Sequence, residues 1–134
     1  MKGEVLDPET VMEAAKAAAS SAYAPYSDFR VGAAILTGGG AIHAGSNVEN
    51  ASYGLSICAE RNAATTMASA DPEDREIGLV AVFSPNASPC FPCGACRQVL
   101  REFGCKEVVV HDGQGLRRYP FDQILPNSFG PEDL

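Results

Sequence analysis

LVAVFSPNASPCFPCGACRQVLREFGCKEVVVH, residues 79–111, contains a strand, a helix and a second strand, with a cysteine-rich junction between the first two. Leu79 to Ser84 is a short apolar strand and Glu107 to His111 another. Gly94 to Phe103 is helical, and Gly104 stands just past its end as a C-cap. Upstream, a helix is predicted from about Ile57 to Ala70, closed by Asp71-Pro72. Before it, Arg30 to Leu36 and Ala41 to Val48 form a hairpin across Gly38-Gly39-Gly40. That triplet lies between two strands with no lysine-bearing helix after it, so a turn is favoured over a phosphate cradle. At the front of the chain, Asp7 is an N-cap and Pro8 a first helical residue. Val11, Ala15, Ala18, Ala19 and Ala22 make the inward face of that helix, which Pro25 ends. Leu116 to Tyr119 adds a strand and Phe121 to Leu125 a short helix. Interleaved strands and helices predict one α/β domain over residues 1–134, a mostly buried sheet with helices on its faces. Both cysteine motifs then fall at strand-to-helix junctions, where helix N-termini gather along one sheet edge.

The bulk composition narrows the partners. A net charge of −7, with 20% charged and 46% hydrophobic residues, describes an ordinary globular chain and disfavours a polyanionic ligand, because nucleic-acid affinity rests on Lys and Arg. No apolar run is long enough to span a membrane. The segment MKGEVLDPETVMEAAKAAAS carries Glu4, Asp7, Glu9 and Glu13 where a signal peptide needs an apolar core, so a cytoplasmic protein is expected. Five cysteines, an odd number, then point to metal or catalysis rather than to disulfides.

Cys58-Ala59-Glu60 and Pro92-Cys93-Gly94-Ala95-Cys96 carry the chemistry. Cys93 and Cys96, three apart on a first helical turn, put both sulfurs on one face, and Cys58 at the start of the other helix supplies a third. Thiolates are favoured at helix N-termini. Three protein ligands leave a coordination position open, as catalytic zinc sites do. Three thiolates leave such a zinc with a formal charge of −1, which blunts it. Two helix dipoles oppose this, and Arg61 can donate hydrogen bonds to the thiolates, unless it is simply a solvated surface arginine. Glu60 can shuttle a proton between a zinc-activated water and a substrate nitrogen. The plain alternative is a glutamate favoured by the helix dipole, against which the adjoining cysteine weighs.

Cys90 makes the run C-x2-C-x2-C, which could also mean a fourth ligand or an iron–sulfur cluster. Pro89 and Pro92 keep its neighbourhood extended and favour a spectator outside the ligand set. A zinc module closed by Cys90 would leave Glu60 without a task. A redox role for C-x-x-C is weaker still. Cys105 reads as a packed thiol, and His43 and His111 as ordinary sheet residues.

C-A-E followed by P-C-x-x-C resembles the signature of the zinc-dependent nucleoside and nucleotide deaminases. PYSDFRVGAAI, NVENASYGLSICAERNA, PCGACRQVL and the ending SFGPEDL are similar to the short, homotetrameric cytidine deaminases, from about Tyr26 to Leu134. The resemblance implies a three-layer α/β/α fold around a mixed sheet of about five strands. It implies one zinc per subunit on Cys58, Cys93 and Cys96, with Glu60 as proton shuttle. Asn47 and Glu49 would hold the ribose, Phe29 would stack on the pyrimidine, and the Ala59 N–H would help bind the base. Tyr53 and Phe129 would come from neighbouring subunits of a homotetramer. The implied reaction is hydrolysis of free cytidine and 2′-deoxycytidine to uridine and 2′-deoxyuridine with loss of ammonia, in pyrimidine salvage. A deaminase of another aminopyrimidine, such as blasticidin S, is the nearest rival, and no phosphate-binding cluster for a mononucleotide is evident.

Overall fold

The structure is a computed structural model and describes residues 7–134. Helix α1, Pro8–Ala19, starts where expected, because Asp7 caps it by accepting a hydrogen bond from the Thr10 N–H at 2.9 Å. It stops at Ala19, well before Pro25, when Ser20 takes the C-cap position and turns the chain. Ala22 and Ala24 are buried on either side of Tyr23, which pairs with Val48 in an isolated bridge.

Strand β1, Gly32–Thr37, and strand β2, Ile42–Ser46, form the hairpin. Helix α2, Ala59–Ala70, strand β3, Ile77–Phe83, helix α3, Gly94–Glu102, strand β4, Glu107–His111, strand β5, Leu116–Pro120, and the single turn α4, Phe121–Ile124, complete the order. The sheet runs β2-β1-β3-β4-β5, with β3 and β4 parallel and every other neighbouring pair antiparallel. It is therefore mixed and five-stranded, as the resemblance implies.

Alternation along the strands divides the core. Ala33, Ile35, Val80, Val82, Val108 and Val110 face Ala63, Ala64 and Met67 of α2 and Leu100 of α3. Ala34, Leu79, Ala81 and Val109 face Val11, Met12 and Ala15 of α1. Three layers result, with α1 alone on one side. Cys105 packs in the larger cluster, and burial pushes its thiol up to about 12. Two glycines set the layer spacing. A Cβ on Gly32 would meet the Ala15 carbonyl oxygen at 2.0 Å, and one on Gly45 the Ala63 nitrogen at 2.7 Å. Each therefore lets a helix backbone lie directly on a strand.

The Gly38–Gly40 segment is a hairpin turn. The Asp74 carboxylate fills it, accepting from the Gly39 N–H at 2.9 Å and from the Thr37 hydroxyl at 2.6 Å. No helix among the described residues is long and apolar enough to cross a membrane.

Candidate active site

Two predicted boundaries shift at the site, for local reasons. Ile57 pairs with Val48 in an isolated bridge, with N–H···O distances of 2.9 Å in both directions, so α2 begins only after Cys58. Arg30 stays out of β1 because side chains hold its backbone: Asn86 Oδ1 accepts from its N–H at 2.9 Å, and the Ser84 hydroxyl donates to its carbonyl at 2.6 Å.

Cys58 is the N-cap of α2 and Cys93 the N-cap of α3, and neither makes a side-chain capping bond. Both sulfurs remain available at helix N-termini. Cys58 Sγ lies 3.9 Å from Cys93 Sγ, which lies 3.5 Å from Cys96 Sγ. All three sulfurs fall within 4.8 Å of one another. A tetrahedral zinc with Zn–S bonds of about 2.3 Å separates its sulfurs by about 3.8 Å, so this donor set fits zinc in number, spacing and chemistry. Cys90 stands outside the group.

The electrostatics favour ionised sulfur. A hydrogen bond from Cys96 pulls the Cys58 thiol down to about 6, with Cys93 and the charge of Arg61 adding to the effect. Cys96, which supplies that proton, is correspondingly pushed up. Arg61 therefore acts on Cys58 through its charge. Burial pushes Cys90 up to about 11, so it stays a neutral thiol.

Glu60, in the first turn of α2, is only 4% exposed. Burial raises its carboxyl to about 7, and the neighbouring Cys58 thiolate adds to the shift. A carboxyl poised there can both take and return a proton near neutral pH.

Glu60, Cys58, Cys93 and Ala59 line a cavity of about 550 Å³. Phe29, Asn47 and Glu49 line it too. Asn47 holds the loop ahead of β1: its Nδ2 donates to the Phe29 carbonyl at 2.8 Å, and its Oδ1 accepts from the Val31 N–H at 2.8 Å. Glu49 holds the same loop from the other end, accepting at Oε1 from the N–H groups of Tyr26 at 2.9 Å and Ser27 at 3.2 Å. The Ala59 N–H belongs to the first turn of α2 and has no partner within the helix.

The two residues assigned to neighbouring subunits differ. Tyr53 lines the cavity of its own chain, 77% exposed, with its ring 6.1 Å from that of Tyr26. Phe129 lies outside the cavity and is 58% exposed. Its carbonyl accepts from Gln98 Nε2 at 2.9 Å, and Arg101 Nε donates to Ser128 Oγ at 2.9 Å, so α3 carries two of the three clustered thiols and the C-terminal segment.

Sequence reasoning missed four contributors. Tyr26, Ser27 and Phe91 line the cavity, and Arg97 braces the metal loop by donating to the carbonyls of Pro92 and Ile124, each at 2.7 Å. The PCGACRQVL segment already held Arg97, one turn from Cys93. His43 lies on β2, and His111 Nδ1 accepts from the Gly113 N–H at 3.0 Å, so neither joins the cluster.

Residues 6–112 match the cytidine and deoxycytidylate deaminase zinc-binding region. A cytidine deaminase of Halalkalibacterium halodurans is 40% identical over 133 residues, covering 96% of this chain and 98% of that protein. A probable cytidine deaminase of Dictyostelium discoideum is 43% identical over 127 residues, covering 94% and 86%. Among solved structures, the cytidine deaminase from Burkholderia pseudomallei superposes with a TM-score of 0.82 at 44% identity, covering 92% of this chain and 100% of that one. Matching over nearly its whole length in both sequence and fold, the chain belongs to the cytidine and deoxycytidylate deaminase family.

Proposed function

We propose that this chain hydrolyses free cytidine and 2′-deoxycytidine to uridine and 2′-deoxyuridine, releasing ammonia, with one zinc per subunit held by Cys58, Cys93 and Cys96. The observation that carries the reading is Glu60, a buried carboxyl held near pKa 7 beside three clustered thiols on the wall of a nucleoside-sized cavity. Zinc bound there supplies Lewis acidity, which makes water a nucleophile near neutral pH.

The chain's own residues do the rest. Phe29 stacks on the pyrimidine, while Asn47 and Glu49 bind the ribose through whatever hydrogen-bonding capacity the loop contacts leave free. The Ala59 N–H, at the positive end of α2, holds the base. Glu60 takes a proton from the attacking water and passes it to N3 as the C4–O bond forms. It then moves a second proton from that oxygen to the exocyclic nitrogen, the C4–N bond breaks, and ammonia leaves. Each transfer needs a carboxyl that gains and loses a proton without a large energetic cost, which is the consequence of its burial.

The assembly is a homotetramer in which Phe129 of one subunit completes the site of another. The exposure of Phe129 and its anchoring to α3 by Gln98 and Arg101 support this. The work is cytoplasmic pyrimidine salvage, in keeping with five free thiols. Ultraviolet assay of zinc-quantified protein on cytidine, deoxycytidine, cytosine, dCMP, adenosine and blasticidin S tests the function. Zinc-loaded protein that deaminates no nucleoside refutes it. Preferential turnover of blasticidin S transfers the site to another aminopyrimidine. Sedimentation tests the tetramer.

A further inference from the structure

The loop between α1 and β1 holds a residue to which nothing above gives a task, although several hydrogen bonds meet on it. The Ser27 hydroxyl accepts from the Phe29 N–H at 3.0 Å and donates to Glu49 Oε2, while its own N–H donates to Glu49 Oε1 at 3.2 Å. A serine hydroxyl has one proton and two lone pairs, so donating to the carboxylate leaves it free to accept from Phe29. Beyond Phe29, its carbonyl accepts from Asn47 Nδ2 at 2.8 Å. The peptide groups on both sides of the ring therefore end on Glu49, through Ser27, and on Asn47.

Asp28, between Ser27 and Phe29, has φ of 56°. Few non-glycine residues adopt that left-handed conformation, and it persists where the surroundings over-determine it. A bond from a serine hydroxyl to the N–H two residues on is a common local turn and would mean little alone. Here a carboxylate 22 residues away fixes which way the hydroxyl points, so the turn is tied to the cavity wall.

We propose that Ser27 is a positioning residue for Phe29, transmitting the anchorage of Glu49 to the backbone of the aromatic that contacts the base. The inference rests on the proposed function, since it takes Phe29 as the stacking ring. Ribose-side and base-side contacts are then one mechanical unit. A ring that contacts the base equally in ground and transition states affects KM and leaves kcat alone.

The test is a kinetic double-mutant cycle on the zinc-loaded protein with cytidine. Ser27→Ala raises KM about tenfold or more, the equivalent of one hydrogen bond to a charged group, while kcat stays within about twofold. Ser27→Thr, which keeps the hydroxyl, restores KM. In a Phe29→Ala background the added Ser27→Ala change leaves KM where Phe29→Ala alone put it, because Ser27 acts through the ring. An unchanged KM in Ser27→Ala, or an equal rise in both backgrounds, overturns the proposal. Should Ser27→Ala not fold, Ser27→Thr and Ser27→Val, alike in shape and differing in the hydroxyl, carry the same comparison. Wild-type protein inactive on cytidine refutes the function instead, so the two failures are distinguishable.

Discussion

Cys58 and Cys93 occupy the same position, the N-cap, on two different helices, and their sulfurs lie 3.9 Å apart. Sulfur replaces the oxygen that usually caps a helix, so each helix directs its positive end at a thiol instead of satisfying its own N–H groups. The donor set thus follows from how two helices begin.

Replacing any one of Cys58, Cys93 and Cys96 by serine removes stoichiometric zinc, whereas Cys90→Ser keeps it. Metal analysis after exhaustive dialysis measures both. Zinc loss from Cys90→Ser would sink the three-ligand assignment. Chelation of the wild type abolishes activity, and adding zinc restores it.

Glu60→Gln retains zinc and loses about 10³-fold or more in kcat, at the upper end of what a positioned acid–base group contributes. The amide preserves size and cannot shuttle a proton. Activity within tenfold of the wild type would remove Glu60 from the mechanism.

The pH dependence of the loop's anchorage belongs to Glu49. Its hydrogen bond from Ser27, followed by that from the Tyr26 N–H, holds the carboxyl below its ordinary value of 4.5. A depressed folded pKa means that the loop's anchorage is fully present above the unfolded value and is lost as the pH falls through the lower, folded one. An NMR titration of the Glu49 side chain therefore gives an apparent pKa below 4.5 in the wild type and a higher one in Ser27→Ala. Equal values in both proteins would contradict the contact.

Arg97→Ala frees the Pro92 carbonyl, next to Cys93, and weakens zinc binding about tenfold, as loss of support around a metal site commonly does. Competition with a chromophoric chelator measures it. Unaltered affinity would mean that the loop holds itself.

Gly32→Ala drives a methyl group to 2.0 Å from the Ala15 carbonyl and to 2.4 Å from the Ala19 nitrogen, so α1 must lift from the sheet. The cost is about 1–3 kcal/mol or more. Gly54→Ala meets nothing within 4 Å and serves as the control. Thermal melts of the pair should separate clearly, and coincident melting would refute the close approach.

Most elements were legible because periodicity and punctuation agreed: β4 runs Glu107–His111 as read, and α3 differs by one residue at its end. The cluster of three thiols was legible because thiols at helix starts have few other uses. The loop from Tyr26 to Val31 was not. Its shape depends on Asn47 and Glu49, about twenty residues away, and local sequence carries no signal for a side chain that bonds a distant backbone. The same reason hid Arg97, whose partner Ile124 lies 27 residues further on. Helix α1 ran short of Pro25 because Tyr23 leaves the helix to pair with Val48, although Ala22 continues the small-residue pattern. Tyr53 was assigned to a neighbour on resemblance alone, and an exposed rim residue can line its own cavity as well.

The register Gly32↔Phe83 gives the site an order of construction. A ribosome releases Phe29, Asn47, Glu49, Cys58 and Glu60 well before Cys93 and Cys96, so an unfinished chain owns the nucleoside-facing residues and a single sulfur. The three sulfurs come together only after β3 has closed on β1 and α3 has emerged. Any fragment that ends before residue 93 therefore holds one of the three clustered thiols and lacks the other two.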